Sequence, residues 1–426
     1  MRIWLITVGE PLPVDSGSPR LFRTGMLANK LAARGHDVIW WSSAFDHARK
    51  MHRCNEDRSI PVTRHIELKI LYTRGYVKNV SLRRIIDNYE MARRFREKIK
   101  SEVRPDLVLC SMPTIELASE AIQYAKKRGI HAIIDIRDLW PDVFLELLPF
   151  WARLPAYLVS FPLFQRLGEA CRNATSIVGA SPHAMKWGVR RAKRIPTDWD
   201  RCFPLGYDDI APTSEVRFQS EVYWEKLGVT GRKDEFRLCF IGSIGPHCEF
   251  ETVFKAIGRL SASGRVLRLI MCGSGDWVGR CSEMAKRYGV DALFPGWVGR
   301  PEIWTLMRRC DIGLLPYGKG TNYIGGMPNK AAEYLSAGLP VVSSLEGPFA
   351  KLLSEYRSGA TYGCGNDLGL TEILRTLYDD RASVISLRDG ALRLFEAKFT
   401  AERVYGEMAE YLERFVAYRQ CGSTLT

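Results

Sequence analysis

Short apolar runs of strand length alternate with helical stretches along this chain, and they do so in two successive series, the pattern of α/β domains built on parallel sheets. In the first half the runs fall near residues 3–8, 37–42, 66–72, 107–111, 131–136 and 175–179. Helices are expected between them, notably over 20–34, closed by Gly35, and over 83–102, ending before Pro105. A second series opens at Leu238-Cys239-Phe240-Ile241-Gly242 and continues near 266–271, 291–294, 311–315 and 340–344. The polar stretch from 205 to 236 is the expected linker. With 426 residues the chain exceeds the ~250–300 that one hydrophobic core organises, so two domains are expected.

An apolar content of 46% excludes wholesale disorder. The net charge of +13 is unevenly placed: residues 1–200 hold 33 Lys and Arg against 21 Asp and Glu, which leaves the rest nearly neutral. The first half is therefore expected to meet an anionic partner, a merely soluble basic surface being the alternative. Eleven cysteines, an odd number without a C-x-x-C, point to a reducing cytosol and to no zinc site. The opening Met1–Glu10 reads as a first strand rather than a signal peptide. No stretch reaches the ~18 uncharged apolar residues of a membrane span, so any membrane contact is expected to be peripheral.

Ligands of open parallel sheets sit at the carboxyl ends of the strands, which selects the loops to read. In the segment 323–342 a Gly-rich loop runs into Pro328, read as the first helical position, and Gly338 and Pro340 stop the helix before a buried strand. Lys330 in the first turn opposes the macrodipole, so an external anion is expected there, and Glu333 is placed to accept from vicinal hydroxyls. An ordinary capped helix with a solvated Lys and Glu is the alternative. Ser243-Ile244-Gly245-Pro246-His247 and Gly273-Ser274-Gly275-Asp276 are weaker phosphate candidates, equally readable as structural turns. Trp297 stands at another strand end, as core or as stacking platform.

In the first half, the Gly9–Pro19 loop leads toward Arg20 and Arg23, which are expected in the first turn of a helix capped by Ser18 and facing an anion, a solvated basic face being the alternative. Asp135-Ile136-Arg137-Asp138-Leu139-Trp140-Pro141-Asp142 sets an Arg among three carboxylates at a strand end, as an acceptor-orienting or basic group or as a structural pair. His183 is a lone histidine. Residues 143–164, aromatic and broken by prolines, read either as a membrane-interface segment or as a buried helical hairpin.

These residues resemble retaining glycosyltransferases of family 4. The likeness runs through Glu10-Pro11-Leu12-Pro13, Arg20 and Arg23, Arg34-Gly35-His36, Asp135–Pro141, Gly242-Ser243, Cys272–Gly275, Asp311–Pro316, Pro328-Asn329-Lys330, Glu333 and Ala337–Val342. Asp135–Pro141 and the opening loop look most like the branch with N-acetylfucosamine transferases of bacterial surface-polysaccharide synthesis. The resemblance implies the GT-B fold: two Rossmann-like domains facing across a cleft, residues 1–205 binding acceptor and 206–399 binding nucleotide-sugar, with a last helix (400–426) crossing back to the first.

The resemblance further implies a transfer from a nucleotide-diphosphate sugar, expected to be UDP-linked, to a hydroxyl of a lipid-linked glycan, with retention and with no metal or cofactor. Asp138, Arg137 and Lys330 are the expected catalytic groups. Glu333, Asn329, Gly325, Gly326, Met327, Ser243, Gly245, His247, Gly273, Trp297 and Gly17 are expected on the donor; Arg20, Arg23 and His183 on acceptor or phosphate. Four departures stand out: Gly325 where many members carry Glu, Ser243 and Cys248 where Arg and Lys are common, and Arg137 before Asp138 where His is common. The chain is expected at the cytoplasmic face of a membrane, held through the basic first domain and 143–164, and without nucleic acid. A nucleotide-sugar epimerase of the same shape and a non-catalytic partner of a polysaccharide assembly complex are the rival readings.

Overall fold

The computed structural model describes residues 1–16, 19–79, 81–146, 148–230, 235–320 and 326–422, with side chains up to Tyr418. Two compact units emerge: Met1–Pro204 together with the segment from Ala401 onward, and Leu205–Thr400.

The strands of the first unit are β1 (Arg2–Ile6), β2 (Asp37–Ser43), the short antiparallel pair β3 (Phe45–Asp46) and β4 (Met51–His52), β5 (Arg58–Thr63), β6 (Ile66–Leu71), β7 (Leu107–Ser111), β8 (His131–Ile136), β9 (Ser176–Gly179) and β10 (Arg201–Cys202). Its main sheet has the order β10-β9-β8-β7-β1-β2-β6-β5, parallel except for the edge strand β5. Successive side chains of β1 point to opposite faces. Trp4 and Ile6 join a core under the helices Leu82–Lys98 and Ile115–Lys127, and Ile3 and Leu5 join another that includes Tyr405, Met408 and Leu412 of the last helix, Ala401–Gly422. That helix is tied to the first unit by Glu413, which accepts from Arg34 (2.8 and 2.6 Å) and pairs with His36 (2.7 Å).

The second unit has β11 (Phe236–Ile241), β12 (Leu267–Cys272), β13 (Asp291–Gly296), β14 (Ile312–Leu315), β15 (Val341–Ser343) and β16 (Gly359–Thr361) in the all-parallel order β13-β12-β11-β14-β15-β16. Every residue of β11 is buried, as a strand covered on both faces requires. In both units the order reverses beside the first strand, the doubly wound topology in which a crevice opens at the carboxyl ends of the two strands flanking the reversal.

Four expectations need correction. The stretch 205–236 contains a helix, Ser214–Lys226, pinned by the fully buried Trp224, whose indole N–H donates to the Glu302 carbonyl (2.8 Å); only Ser220 and Trp224 are buried along it, too few to show as a periodic stripe. The first helix begins at Arg23, with Phe22 as its N-cap and no side-chain cap, so Arg20 lies ahead of it. Pro328 is the N-cap, not the first helical residue, of the helix Asn329–Ser336. Residues 150–173 form one continuous helix through Pro155 and Pro162 rather than a buried hairpin, and Phe150, Trp151, Leu154, Leu158 and Val159 on it are exposed.

Candidate functional site

In the second unit the crevice lies at the ends of β11 and β14. Gly242, just past β11, has φ +142, and a Cβ there would fall on the Lys330 ammonium; Gly273, just past β12, has φ +135, and a Cβ there would strike the Gly242 carbonyl. Glycine at both positions lets the strand ends close on one another, Gly242 N–H donating to Cys272 O (2.8 Å) and Gly273 N–H to Gly296 O (2.7 Å). Above them is a cavity of about 250 Å³ lined by Gly242, Ser243, Gly273, Ser274, Trp297 and Ile303. Trp297 is 79% exposed, so its ring is offered at the cavity rather than spent in the core.

Lys330 comes over this floor from the first turn of its helix. Its ammonium is 4.8 Å from the centroid of Phe240, on β11, and 5.8 Å from that of Tyr317, just past β14, which sets it at the reversal of strand order. It has no carboxylate or hydrogen-bond partner among the described residues. Burial pushes its pKa down, while Cys248 and Glu333 pull it up. Such a cation can meet an anion that arrives from outside.

The neighbouring candidates gather on the same side of the sheet. Glu333 is half-buried, one turn along the helix from Lys330, and Asn329 is exposed at the first helical position. Met327 packs partly against the core and Gly326 is partly exposed. Gly245 is buried in the turn that Cys248 N–H closes on its carbonyl (3.2 Å). His247 packs 6.3 Å from the Tyr317 ring, and burial, then the Lys330 charge, push its pKa down. Gly325 and Gly17 lie outside the described residues.

In the first unit the strand-end cluster is mostly a closed network. Arg23 is 1% exposed; it donates to both Asp135 oxygens (2.8 and 2.9 Å) and to the carbonyls of Phe203 (2.7 Å) and Pro204 (3.0 Å). Arg137 donates to Asp135 (2.8 Å), to Thr24 Oγ1 (2.9 Å) and to Glu10. These bonds correct two expectations: Arg23 is not offered to an anion, and Arg137 holds the loop rather than presenting its guanidinium to substrate. Glu10 and Thr24 complete the network, and nothing in the local pattern marked them as partners of Arg137, which lies 127 and 113 residues on.

Asp138, next to this network, is exposed at the surface, yet the protein around it displaces water and raises its pKa, with Arg137 and Arg84 pulling the other way. It is the carboxylate of the cluster left facing outward. His183, in the first turn of the helix Pro182–Arg191, is partly buried, and its pKa is lowered by burial and by Arg190. Arg20 lies with its guanidinium carbon 5.8 Å from the Phe22 ring centroid. Among the described residues no group of three or more His, Cys, Asp or Glu is placed to hold a metal ion, and no helix is long and apolar enough to cross a membrane.

Comparison with known proteins fits this geometry. Residues 224–391, within the second unit, match the family of glycosyl transferases group 1. A Salmonella typhimurium protein named as a candidate colanic acid biosynthesis glycosyltransferase, WcaL, is 28% identical over 108 residues, which span 25% of this chain and 27% of that protein. Among solved structures, sucrose-phosphate synthase of Thermosynechococcus elongatus has a TM-score of 0.72 at 16% identity, covering 98% of this chain and 99% of that one. HepE of Anabaena, in complex with UDP-glucose, has a TM-score of 0.65 at 15% identity over 97% and 100%. WaaG, a glycosyltransferase involved in lipopolysaccharide biosynthesis, has a TM-score of 0.65 at 16% identity over 96% and 99%. The chain has the GT-B fold, with two Rossmann-like domains, and its second unit matches glycosyl transferases group 1.

Proposed function

We propose that the protein is a retaining glycosyltransferase that moves a sugar from a UDP-linked donor to a hydroxyl of a lipid-linked glycan in bacterial surface-polysaccharide synthesis. The observation that carries this reading is Lys330: a cation without a carboxylate partner among the described residues, over the glycine floor of a switch-point crevice. The match to WcaL and the UDP-glucose held by HepE support it.

In this reading the sugar C1–O bond to the diphosphate breaks as the acceptor oxygen attacks from the same face. The departing diphosphate takes the acceptor proton, so atoms and charge balance without a protein base. The protein's contribution is to position both substrates and to stabilise the leaving charge. Lys330 and the amides of Gly326 and Asn329 meet the diphosphate, Glu333 accepts from the ribose hydroxyls, and Trp297 stacks on the base. Asp138 orients the acceptor. With Ser243 and Cys248 in place of cations, the diphosphate charge falls mainly to Lys330, and no metal is invoked.

The acceptor unit works at an anionic membrane surface on the cytoplasmic side, through the basic first unit and the helix Phe150–Asn173. Phe150 and Val159 are each 83% exposed there and Trp151 70%, an apolar ridge that ordinary soluble surfaces avoid.

Thermal stabilisation by UDP, GDP, their sugar conjugates and unrelated nucleotides tests the donor reading, because a ligand of the native state raises its stability. A UDP-selective rise in Tm that Glu333→Ala abolishes is the expected result. Folded protein that responds to no nucleotide would overturn it in favour of a non-catalytic partner.

A further inference from the structure

The first unit holds a second cavity, of about 280 Å³, beyond the ends of β7 and β8. Its apolar wall includes Leu82, Ile85, Ile115, Phe144 and Leu163, and the Trp140 ring stacks on Phe144 with centroids 6.0 Å apart. Arg84 lines the same cavity, its guanidinium carbon 4.9 Å from the Trp140 centroid and 5.6 Å from that of Tyr76. Lys50 places its ammonium 4.7 Å from the Tyr76 centroid as well.

Two cations thus share one buried tyrosine ring. Neither has a carboxylate partner among the described residues: Arg84 donates to the Asn79 carbonyl (2.9 Å), and Lys50 donates to the Asn79 side chain. The carboxylates nearby are engaged elsewhere or set apart. Asp46 pairs with Arg49 and Arg53, Asp87 accepts from Gly75 N–H (2.7 Å), and Glu116 lies buried in the apolar wall with Asn88 as its hydrogen-bond partner. Glu116 and Asp138 both lie within reach of Arg84's field without bonding to it. Like charges held together beside an apolar cavity, with Arg84 on its wall and Lys50 next to it, repel one another unless an anion sits between them, and the cavity suits something other than water. The positive field shows in His47, which bonds Tyr76: burial, then Lys50 and Arg84, push its pKa down to about 4.

We propose that this cavity binds a single-chain lipid phosphate or diphosphate. Lys50 and Arg84 hold the head, and the first apolar carbons lie against Trp140, Phe144 and Leu163. Both halves of the ligand are read from one place in the fold, Arg84 on the cavity wall with Lys50 beside it on the Tyr76 ring and hydrocarbon behind, which free phosphate or plain hydrocarbon would satisfy only by half. The inference rests on the reading of the acceptor as lipid-linked, and it names the place in the chain where the lipid is held.

The test uses the full chain with farnesyl diphosphate as probe, beside inorganic diphosphate and farnesol, read by intrinsic fluorescence and calorimetry. Farnesyl diphosphate is expected to bind at least tenfold tighter than either half alone. Arg84→Glu and Leu82→Asp, both in the first turn of one helix and both lining the cavity, are each expected to weaken it tenfold or more without altering the circular dichroism spectrum. Equal affinity for inorganic diphosphate or for farnesol, or variants that bind as wild type does, would overturn the proposal. UDP stabilisation measured on the same samples separates the two readings: UDP binding without farnesyl diphosphate binding removes the lipid site alone, and the converse removes the donor reading while leaving the site.

Discussion

Arg23 and Asp135, 112 residues apart in the chain, form a two-pronged ion pair in which neither side chain reaches solvent. Asp135 also takes Arg137, and Arg23 also takes the carbonyls that end the first unit, so one buried carboxylate anchors three segments. The two guanidinium groups hold the Asp135 pKa below its usual value against the opposing effect of burial. Removing one partner of such a pair leaves buried charge unmet, which costs about 3–5 kcal/mol. Asp135→Asn is expected to lower the unfolding free energy by roughly that amount in urea titrations, and Arg23→Lys to fail as a substitute because a point charge cannot make the paired contact. A loss below ~1 kcal/mol would contradict this account.

Lys330→Met separates binding from stability. Burial depresses the folded pKa of Lys330 below 10.5, so the unfolded chain binds more protons between the two values and stability rises as pH climbs through that window. The methionine variant should lack this rise and, at neutral pH without ligand, melt at the same temperature or a few degrees higher. Its stabilisation by UDP should fall at least tenfold in apparent affinity. Scanning calorimetry against pH, with and without UDP, measures both.

Glu413 makes the docking of the last helix acid-sensitive. Arg34, then His36, hold its pKa down to about 2 against an ordinary 4.5, so its contribution is complete above 4.5 and is lost as pH falls toward 2. The pair is partly solvated, which limits the effect to the order of 1 kcal/mol. Glu413→Gln should lower the Tm at pH 6 by a few degrees and flatten the stability curve between pH 4.5 and 2; an unchanged slope there would refute the assignment.

Trp297→Ala tests the base platform. Loss of one stacking contact is worth about 1–3 kcal/mol, so UDP affinity should drop roughly tenfold or more. Because the ring is exposed, the melting temperature of the free protein should stay within a degree or two. A calorimetric titration that finds wild-type affinity would move the base elsewhere.

Trp151→Ser with Val159→Asp tests the apolar ridge. Flotation with phosphatidylglycerol vesicles at low salt should capture wild type and lose most of the variant, and added salt should weaken capture as basic residues are screened. Wild type that ignores such vesicles would remove the membrane from the functional reading.

Much of the fold was legible because local patterns carry it. The largely apolar runs Leu107–Ser111 and His131–Ile136 read as strands and are β7 and β8; Gly338 and Pro340 end a helix in the structure as in the pattern. The edge strand Arg58–Thr63 was missed, since a polar run with a central proline and one covered face has neither strong alternation nor a continuous apolar block. The helix Ser214–Lys226 hid for a related reason, being held by a single tryptophan.

At the candidate site the division is sharper. Glycine spacing, the proline before a helix and a lysine in its first turn are short-range features, so the sequence alone determined which loops of the second unit carry the groups of the candidate site. Whether a named charge is free or spent was settled by contacts distant in the chain: Arg23 and Arg137 are consumed by Asp135 and Glu10, while Lys330 is set over Gly242. Composition placed the positive charge in the first half but not at Lys50 and Arg84, which come from separate segments to meet on Tyr76. Local propensity acts over a few residues, whereas the pairing and desolvation of charge depend on which strands become neighbours, and that order exists only in the folded chain.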